Sequence, residues 1–162
     1  MAALKYWVWL TTLPGLGERA KLQLLAHFGS PEEIYFAPEG ELLLVEGITK
    51  LQAALLADKS LDRAEKVLED CAKDGQFLLT MDDAGYPARL RNIYDPPLLL
   101  YGKGSLPLFD DEVAVTVVGT RDCTPYGVRA ASQLGYELAR QGALLVSGMA
   151  KGIDGEARKG AL

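Results

Sequence analysis

The fold is decided by the stretch Val113–Asp154, which reads VAVTVVGTRDCTPYGVRAASQLGYELARQGALLVSGMAKGID. Its first part, Val113–Val118, is a run of mostly β-branched residues and predicts a strand. Thr124 and the proline after it predict the start of a helix that continues to Gln141, and Ala143–Val146 predicts a second strand. Strand, helix and strand joined by short connections form a right-handed parallel unit. The chain is therefore predicted to be an α/β protein.

Each of the two predicted strands leads into a loop at the same edge of the sheet, where ligands of such sheets bind. The first loop is Gly119-Thr120-Arg121, in which the glycine lets a ligand approach the backbone and the arginine offers a planar fork for phosphate oxygens. The second loop, Ser147–Asp154, contains a serine and two glycines, so several amides and a hydroxyl can face one point. Both loops have the chemistry of an anion site.

These loop residues also have a purely structural interpretation. Arg121 is equally suited to an ion pair with Asp122 or Asp154 at a strand-exit turn. Asp154 could cap the following helix, bond the backbone of the first loop or accept from a sugar hydroxyl, and a structural role is favoured. Basic residues near the second loop could form no more than the solvated face of a helix. These basic residues are Lys151, Arg158 and Lys159.

The first part of the chain is predicted to be all helical. Ser30, Pro31 and Glu33 follow the pattern of a helix start, with a capping serine, a first-turn proline and an acid three residues after the cap. From Leu61 to Cys71 apolar residues recur at three- and four-residue steps, and a glycine at position 75 follows as a stop signal. Beyond this glycine, short apolar runs predict strands. We therefore predict one domain over residues 1–75 and a second over residues 76–162, whose first strands are Phe77–Thr80 and Leu98–Tyr101.

Charge is distributed unevenly along the 162 residues, whose formal net charge is −5. Residues 1–118 carry a net charge of −7, whereas residues 119–162 carry +2. Affinity for a polyanion comes largely from Lys and Arg side chains that displace condensed counterions. Any polyanion site is therefore expected in the last third of the chain.

The cysteine content and the hydropathy limit the class of protein. Cys71 and Cys123 are far apart and have no metal-ligand spacing, so we expect free thiols and neither a disulfide nor a metal site. No apolar run approaches the ~20 residues of a membrane-spanning helix. The sequence thus predicts a soluble, cytoplasmic protein without a membrane partner.

Aromatic and catalytic side chains give little sign of an active site. Trp7 and Trp9 are two residues apart, and at least one of them is expected in the core. The only histidine, His27, belongs to the apolar helical segment Leu22–Phe28 and is expected to pack or to lie on the surface. Neither loop places a nucleophile beside a general base, so binding without turnover is favoured.

A second, weaker candidate site lies near the N-terminus. The segment Leu13–Gly17 resembles the turn of a helix-hairpin-helix, in which glycine amides at a helix start contact a DNA phosphate. Val45–Lys50 resembles a degenerate partner, with Thr49 in place of the second glycine and with Glu46, which would repel phosphate. Acidic surroundings favour a structural or protein-contact role for this domain. The candidate residues are Gly15, Gly17, Arg19 and Lys21.

Several short motifs follow one another along the second half of the chain. They are Tyr86-Pro87, Asp95-Pro96-Pro97, Leu100-Tyr101, Gly102-Lys103-Gly104, Gly119-Thr120-Arg121, Tyr126-Gly127 and Ser147–Asp154 with Ala157. This ordered set resembles the signature of the DNA-processing protein A family, also called DprA or Smf. The resemblance covers Tyr86–Leu162 closely and the helical start loosely.

The resemblance implies a helical domain of helix-hairpin-helix or SAM-like type, followed by an incomplete extended Rossmann-like parallel sheet. It further implies a protein that binds and protects single-stranded DNA during natural transformation and helps to load a RecA-type recombinase, without catalysis and without a cofactor. On this model Arg121 is a phosphate ligand, Asp154 gives structural support, and Lys151 is a weaker backbone contact. The implied DNA-binding residues are Gly119, Thr120, Arg121, Ser147, Gly148, Lys151 and Gly152.

The competing hypothesis is a nucleotide-processing enzyme of a related Rossmann-like fold, which would hold a nucleoside monophosphate in the same two loops. Such an enzyme needs an acidic catalytic group, and Glu156 is the carboxylate beside Asp154 in this region. A third hypothesis makes the chain a protein-interaction fragment.

The sequence departs from the family pattern at two points. Arg158 stands after Ala157 where the family usually has a histidine, and an arginine keeps its charge where imidazole would titrate. The chain is also expected to be truncated, because an open parallel sheet needs more strands than the two found here. The family's homodimer contacts are expected in the missing segment.

Overall fold

The computed structural model describes residues 3–162 as two compact units, one ending at Leu106 and one extending from Pro107 to Leu162. The helices are α1 Leu4–Thr12, α2 Glu18–Phe28, α3 Pro31–Phe36, α4 Glu39–Leu42, α5 Lys50–Leu56, α6 Asp62–Lys73, α7 Ala88–Arg91, α8 Pro125–Arg140 and α9 Ile153–Ala161. The strands are β1 Gln76–Thr80, β2 Leu99–Lys103, β3 Ala114–Thr116 and β4 Leu144–Val146.

Local sequence signals set the helix ends of the first unit. The Ser30 hydroxyl accepts a hydrogen bond from the Glu33 amide at 3.2 Å, and Pro31 is the first residue of α3, which confirms the predicted start. Gly75, two residues after the end of α6, has a φ of +63°, a conformation that glycine adopts without strain. The predicted helix before it is also confirmed.

The core of the first unit is built from large apolar side chains. Both tryptophans belong to it, Trp7 being 6% exposed and Trp9 2% exposed, so the expectation that at least one is buried is confirmed. The Trp9 indole donates a hydrogen bond to the Asp58 carbonyl at 2.9 Å. The largest fully buried side chains in this unit are those of Val8, Trp9, Leu10, Leu24, Ile34, Leu42, Leu56 and Leu98.

The first pair of strands belongs to the helical unit. β1 and β2 pair antiparallel from Gln76 opposite Lys103 to Thr80 opposite Leu99, and the segment between them contains α7. Leu98 and Leu99 lie in the same apolar cluster as the helices. The change from helix to strand near residue 75 thus falls inside the first compact unit. The boundary between the two compact units follows Leu106. The division into sequence domains at residues 75 and 76 stays a prediction.

The second unit is the predicted strand, helix and strand. β3 and β4 pair in parallel with Ala114 opposite Leu144, and ladder bonds from the Val117 amide to the Val146 carbonyl and from the Leu144 amide to the Val113 carbonyl extend the pairing. Its apolar core is small, and its buried residues are Val117, Ala131 and Ala157. Stability in this unit therefore depends on close backbone packing as well as on side-chain burial.

Two glycines bring α8 and α9 together. A Cβ atom at Gly135 would overlap the Ala157 carbonyl, and one at Gly160 would overlap the Ser132 carbonyl. α9 therefore lies directly against α8, with the second half of α9 touching the middle of α8. Within residues 3–162, no helix is both long enough and apolar enough to cross a membrane.

Candidate nucleic-acid interface

The first loop is held in shape by its own hydroxyl groups. Thr124 caps α8 by accepting a hydrogen bond from the Gly127 amide at 3.2 Å, and Pro125 follows it as the first helical residue. The Thr120 hydroxyl accepts from the Asp122 amide and donates to the Asp122 carbonyl, both at 3.3 Å. The Thr120 side chain therefore stabilises the turn that carries Arg121.

The second loop is built from residues in unusual backbone conformations. Met149 has a φ of +55°, which is uncommon for a residue with a side chain, and the Ser147 hydroxyl accepts from its amide at 3.3 Å. Gly152 has a φ of +93° immediately before α9 begins. The Ser147 hydroxyl thus has a role within the loop, and glycine at position 152 is required by the backbone.

The two loops touch through their backbones. The Ile153 amide donates to the Thr120 carbonyl at 3.2 Å. A Cβ atom at Gly152 would overlap the Thr120 carbonyl oxygen and lie 2.6 Å from that of Arg121, and one at Gly119 would lie 2.6 Å from the Ile153 Cβ. Any larger residue at either glycine would push the loops apart. The predicted convergence of the loops at one edge is confirmed.

The buried side chain of Asp154 links the two loops. Its Oδ1 accepts a hydrogen bond from the Gly119 amide at 3.0 Å. A Cβ atom at Gly148 would lie 3.5 Å from the other carboxylate oxygen, so the carboxylate lies between the two loops. Of the three roles considered for Asp154, the structure shows the bond to the first-loop backbone. No side-chain cap of α9 is formed.

Arg121 and Lys151 are exposed at this edge and lack ion-pair partners. Within residues 3–162 the salt bridges involve other cations, so the alternative pairing of Arg121 with Asp122 or Asp154 is not observed. The Asp154 charge is instead directed at a backbone amide. Both cations therefore keep their hydrogen-bonding groups available for an anionic ligand.

Arg158, which the sequence places among the basic residues near the second loop but not among the implied DNA-binding residues, reaches back to that loop. Its Nη1 donates to the Met149 Sδ at 2.9 Å, and no carboxylate in the described part of the chain pairs with it. Lys159, the next residue, pairs with Glu156 at 2.7 Å. The spacing of four residues from Asp154 places Arg158 about one helical turn further along α9.

In the weaker N-terminal site, Lys21 is not available to a phosphate. Lys21 is only 4% exposed, and its Nζ donates to the Thr11 carbonyl at 3.3 Å and to Glu18 at 2.7 Å. This ammonium group is a structural link between α1 and α2, and expecting it to face phosphate was wrong. Gly15, Gly17 and Arg19 remain exposed near the start of α2.

The second half of the proposed hairpin motif is closed by side chains. Thr49 caps α5 by accepting from the Gln52 amide at 3.2 Å, while the Gln52 side chain accepts from the Thr49 amide at 2.9 Å. This capping box occupies two amides that a phosphate would otherwise bind. The geometry therefore favours the loop edge of the second unit as the candidate interface.

Metal-binding groups and disulfides are not found in the described part of the chain. No cluster of three or more His, Cys, Asp or Glu side chains in residues 3–162 is arranged to hold a metal ion. Cys71 is buried and Cys123 is half-buried, and both are free thiols.

A family model and several curated proteins are similar to this chain. The family model described as DNA recombination-mediator protein A matches residues 77–162. The DNA processing protein DprA of Bacillus subtilis (strain 168) is 38% identical over 90 residues, which are 56% of this chain and 30% of that protein. The protein Smf of Synechocystis sp. (strain ATCC 27184 / PCC 6803 / Kazusa) is 30% identical over 161 residues, 97% of this chain and 40% of that protein.

A solved structure has a similar fold. The X-ray structure of DNA processing protein A (DprA) from Streptococcus pneumoniae superposes with a TM-score of 0.69 and 26% sequence identity. The match covers 97% of this chain and 53% of that chain. This chain spans less than half the length of the two curated relatives.

Proposed function

The chain belongs to the DNA recombination-mediator protein A family, and on that premise we propose that its Pro107–Leu162 unit binds single-stranded DNA through its phosphates. The proposed site is the edge where the loops after β3 and β4 meet. Its ligands are Arg121 and Lys151, with backbone amides of both loops. The other predicted residues, Gly119, Thr120, Ser147, Gly148 and Gly152, shape the loops that present these groups.

One observation carries this proposal most strongly. Arg121 is exposed and has no ion pair in the described part of the chain, although a carboxylate lies under the neighbouring Gly119. An unpaired arginine on a loop that is fixed by several hydrogen bonds can bind a phosphate with little loss of backbone entropy, and among the described residues its guanidinium has no ion-pair partner to release first. The fixed loop favours a binding role over a solvated surface position.

The proposal extends to the family role. We propose that β3, α8 and β4 are the start of a Rossmann-like sheet and that the whole protein protects single strands and assists a RecA-type recombinase. The names of the family and of its DprA members, which refer to recombination mediation and DNA processing, support this role. The site needs no cofactor, and its contacts to phosphate would give binding without sequence preference.

The enzyme alternative is less well supported by the geometry. Glu156, its candidate acid, pairs with Lys159 at 2.7 Å, and within residues 3–162 its carboxylate forms no hydrogen bond to either loop. A general base for hydrolysis needs reach to the attacking water and a free carboxylate. Hydrolysis of a nucleoside monophosphate that is lost in Glu156→Gln would nevertheless replace the binding proposal.

The experiment is fluorescence anisotropy of a labelled oligonucleotide, single-stranded or annealed to its complement, titrated with the chain and with two variants. Arg121→Ala removes the proposed phosphate ligand. Arg140→Ala is the matched control, because this arginine is exposed in the same unit but lies at the far end of α8, about 24 Å along the helix axis. Circular dichroism of each variant establishes that it folds.

We expect the single strand to bind more tightly than the duplex. Arg121→Ala should weaken binding about tenfold or more, since a charge-assisted hydrogen bond contributes about 1.5–3 kcal/mol. Arg140→Ala should bind like the parent chain. An equal loss of affinity in both variants would show that only the net charge of the chain matters. A folded chain without affinity for either oligonucleotide would overturn the proposal.

A further inference from the structure

A groove outside the two loops runs between α8 and α9. Its volume is about 520 Å³, within the range of ~300–1,000 Å³ that is usual for ligand sites. Val128 and Gly160 supply apolar lining, and the remaining lining side chains are polar or aromatic. These are Arg129, Ser132, Gln133, Tyr136 and Glu156.

One end of the groove lies near the phosphate loops. α8 and α9 begin directly after the first and second loop, and a Cβ atom at Gly127 would lie 3.3 Å from the Ile153 side chain, so the two helix starts are adjacent. Arg129 lies about 6 Å along the axis from the first residue of α8, and Glu156 is in the first turn of α9. A strand held at the loops can therefore continue into the groove.

The charge of the groove favours a polyanion. Arg129 is exposed and has no ion-pair partner within residues 3–162. The Glu156 carboxylate is neutralised by Lys159 at 2.7 Å. The groove thus carries a net positive charge, in a chain whose formal net charge is −5. Such a local excess of positive charge attracts phosphate.

The other end of the groove suits a nucleobase. Tyr136 is 53% exposed and lies about 10 Å beyond Arg129 along the axis of α8, so its ring is free to stack. Gln133 and Ser132 line the same groove, and they offer both donors and acceptors to the edge of a base. An aromatic face with adjacent amide and hydroxyl groups is a common means of holding an unpaired base.

We propose that this groove is a nucleobase subsite for the strand whose phosphates bind at the loops. Tyr136 stacks on one base, Gln133 and Ser132 bond its edge, and Arg129 binds the phosphate between this base and the loop edge. The inference rests on the proposed function, because the same strand must occupy both places. It also explains why we expect single strands to bind more tightly than duplexes, since a duplex keeps its bases stacked inside the helix.

The test uses anisotropy with single-stranded oligonucleotides no longer than the loops and the groove together, so that the strand cannot shift its register, in which one base at a time is replaced by an abasic unit. The chain is compared with Tyr136→Ala, which removes the ring, and with Tyr136→Phe, which keeps it. Tyr94→Ala is the control, because this tyrosine is 83% exposed and lies outside the groove. Each variant is checked for folding by circular dichroism.

One abasic position should weaken binding to the parent chain by about fivefold or more, the size expected for one stacked base. Tyr136→Ala should bind the intact strand weaker by the same factor and lose nothing more at that position, while Tyr136→Phe and Tyr94→Ala behave like the parent. If Arg121→Ala loses affinity but Tyr136→Ala does not, the subsite is overturned and phosphate binding at the loops stands. If the parent chain binds no single strand, both proposals fail.

Discussion

The helical unit and the unit that follows Pro107 achieve their structures in different ways. The first buries large side chains, including two tryptophans, in a cluster of eighteen buried residues. The second has three buried apolar residues in its core cluster and depends on glycines that allow backbone to touch backbone. The difference teaches that the two units are stabilised by separate means: the first tolerates little loss of side-chain volume, and the second little gain.

This difference predicts that the largest loss of stability follows when a large buried side chain of the first unit is replaced by a small one. Trp9→Ala removes a side chain that is 2% exposed and should lower the free energy of unfolding by about 3–5 kcal/mol. Urea denaturation measures this loss. Affinity for single-stranded DNA, measured where the variant is still folded, should stay unchanged. A folded Trp9→Ala chain that binds DNA tenfold more weakly would remove the distinction between the two units.

The converse change adds one methyl group in the second unit. Gly152→Ala must hold a φ of +93° and would collide with the Thr120 carbonyl, so we expect it to displace the first loop and abolish measurable DNA binding. The strain should cost about 1–3 kcal/mol of stability. Gly142→Ala is the matched control, because it has a φ of +80° and open space. That variant should lose stability alone, and equal DNA binding by both variants would contradict the loop contact.

The link through Asp154 gives a smaller effect. Asp154→Ala leaves the Gly119 amide without its partner and should cost about 1–3 kcal/mol, whereas Asp154→Asn keeps an acceptor and should cost less. Hydrogen exchange of the Gly119 amide, followed by NMR, reports the contact directly. Exchange should accelerate in Asp154→Ala, and unchanged protection there would show that the carboxylate does not hold the loop.

The smallest effect comes from a lysine in the first unit. The Lys59 Nζ is buried and has no hydrogen-bond partner among residues 3–162. It lies over the Trp9 and Tyr35 rings at 5.2 and 5.1 Å, and burial lowers its pKa from 10.5. The folded chain therefore binds this proton less tightly than the unfolded chain does, so stability rises as pH increases from the folded pKa towards 10.5.

Lys59→Met should remove this rise. The free energy of unfolding of the parent minus that of the variant, measured by urea denaturation at several pH values, should increase with pH in that interval. Taking the difference cancels the contribution of Tyr86, whose pKa is raised by burial. A difference that falls with pH would mean that the two rings stabilise the ammonium more than burial disfavours it.

Much of the second unit could be predicted because its signals are local. The β-branched run at Val113–Val118 and the Thr124 cap with its proline each determine their own segment, and the structure shows β3 and α8 there. The parallel pairing follows from the helix α8, which crosses over between the two strands. The glycines at positions 119 and 152 were identified as loop formers, and the structure adds the neighbours that require them.

Other features depend on contacts between distant residues, which a single sequence does not specify. Lys21 was taken for an exposed cation because it follows a glycine turn, yet a carbonyl from α1 and Glu18 satisfy it inside the unit. The packing of Leu98 with the helices depends on β1 and β2 pairing across α7. For Asp154 the sequence allowed three roles, because a helix cap, a loop amide and a sugar hydroxyl would all lie near its carboxylate. The position of the Gly119 amide shows that the carboxylate binds the backbone of the first loop.

The central claim is that Arg121 contacts a DNA phosphate, and the salt dependence of binding tests it most directly. The logarithm of the affinity for a single strand falls linearly with the logarithm of salt concentration, by about 0.7 for each phosphate neutralised. The slope for Arg121→Ala should be smaller than that of the parent by about this amount, while Arg140→Ala gives a line parallel to the parent. A parallel line for Arg121→Ala, with weaker binding at every salt concentration, would contradict the claim, because the arginine would then act without releasing a counterion.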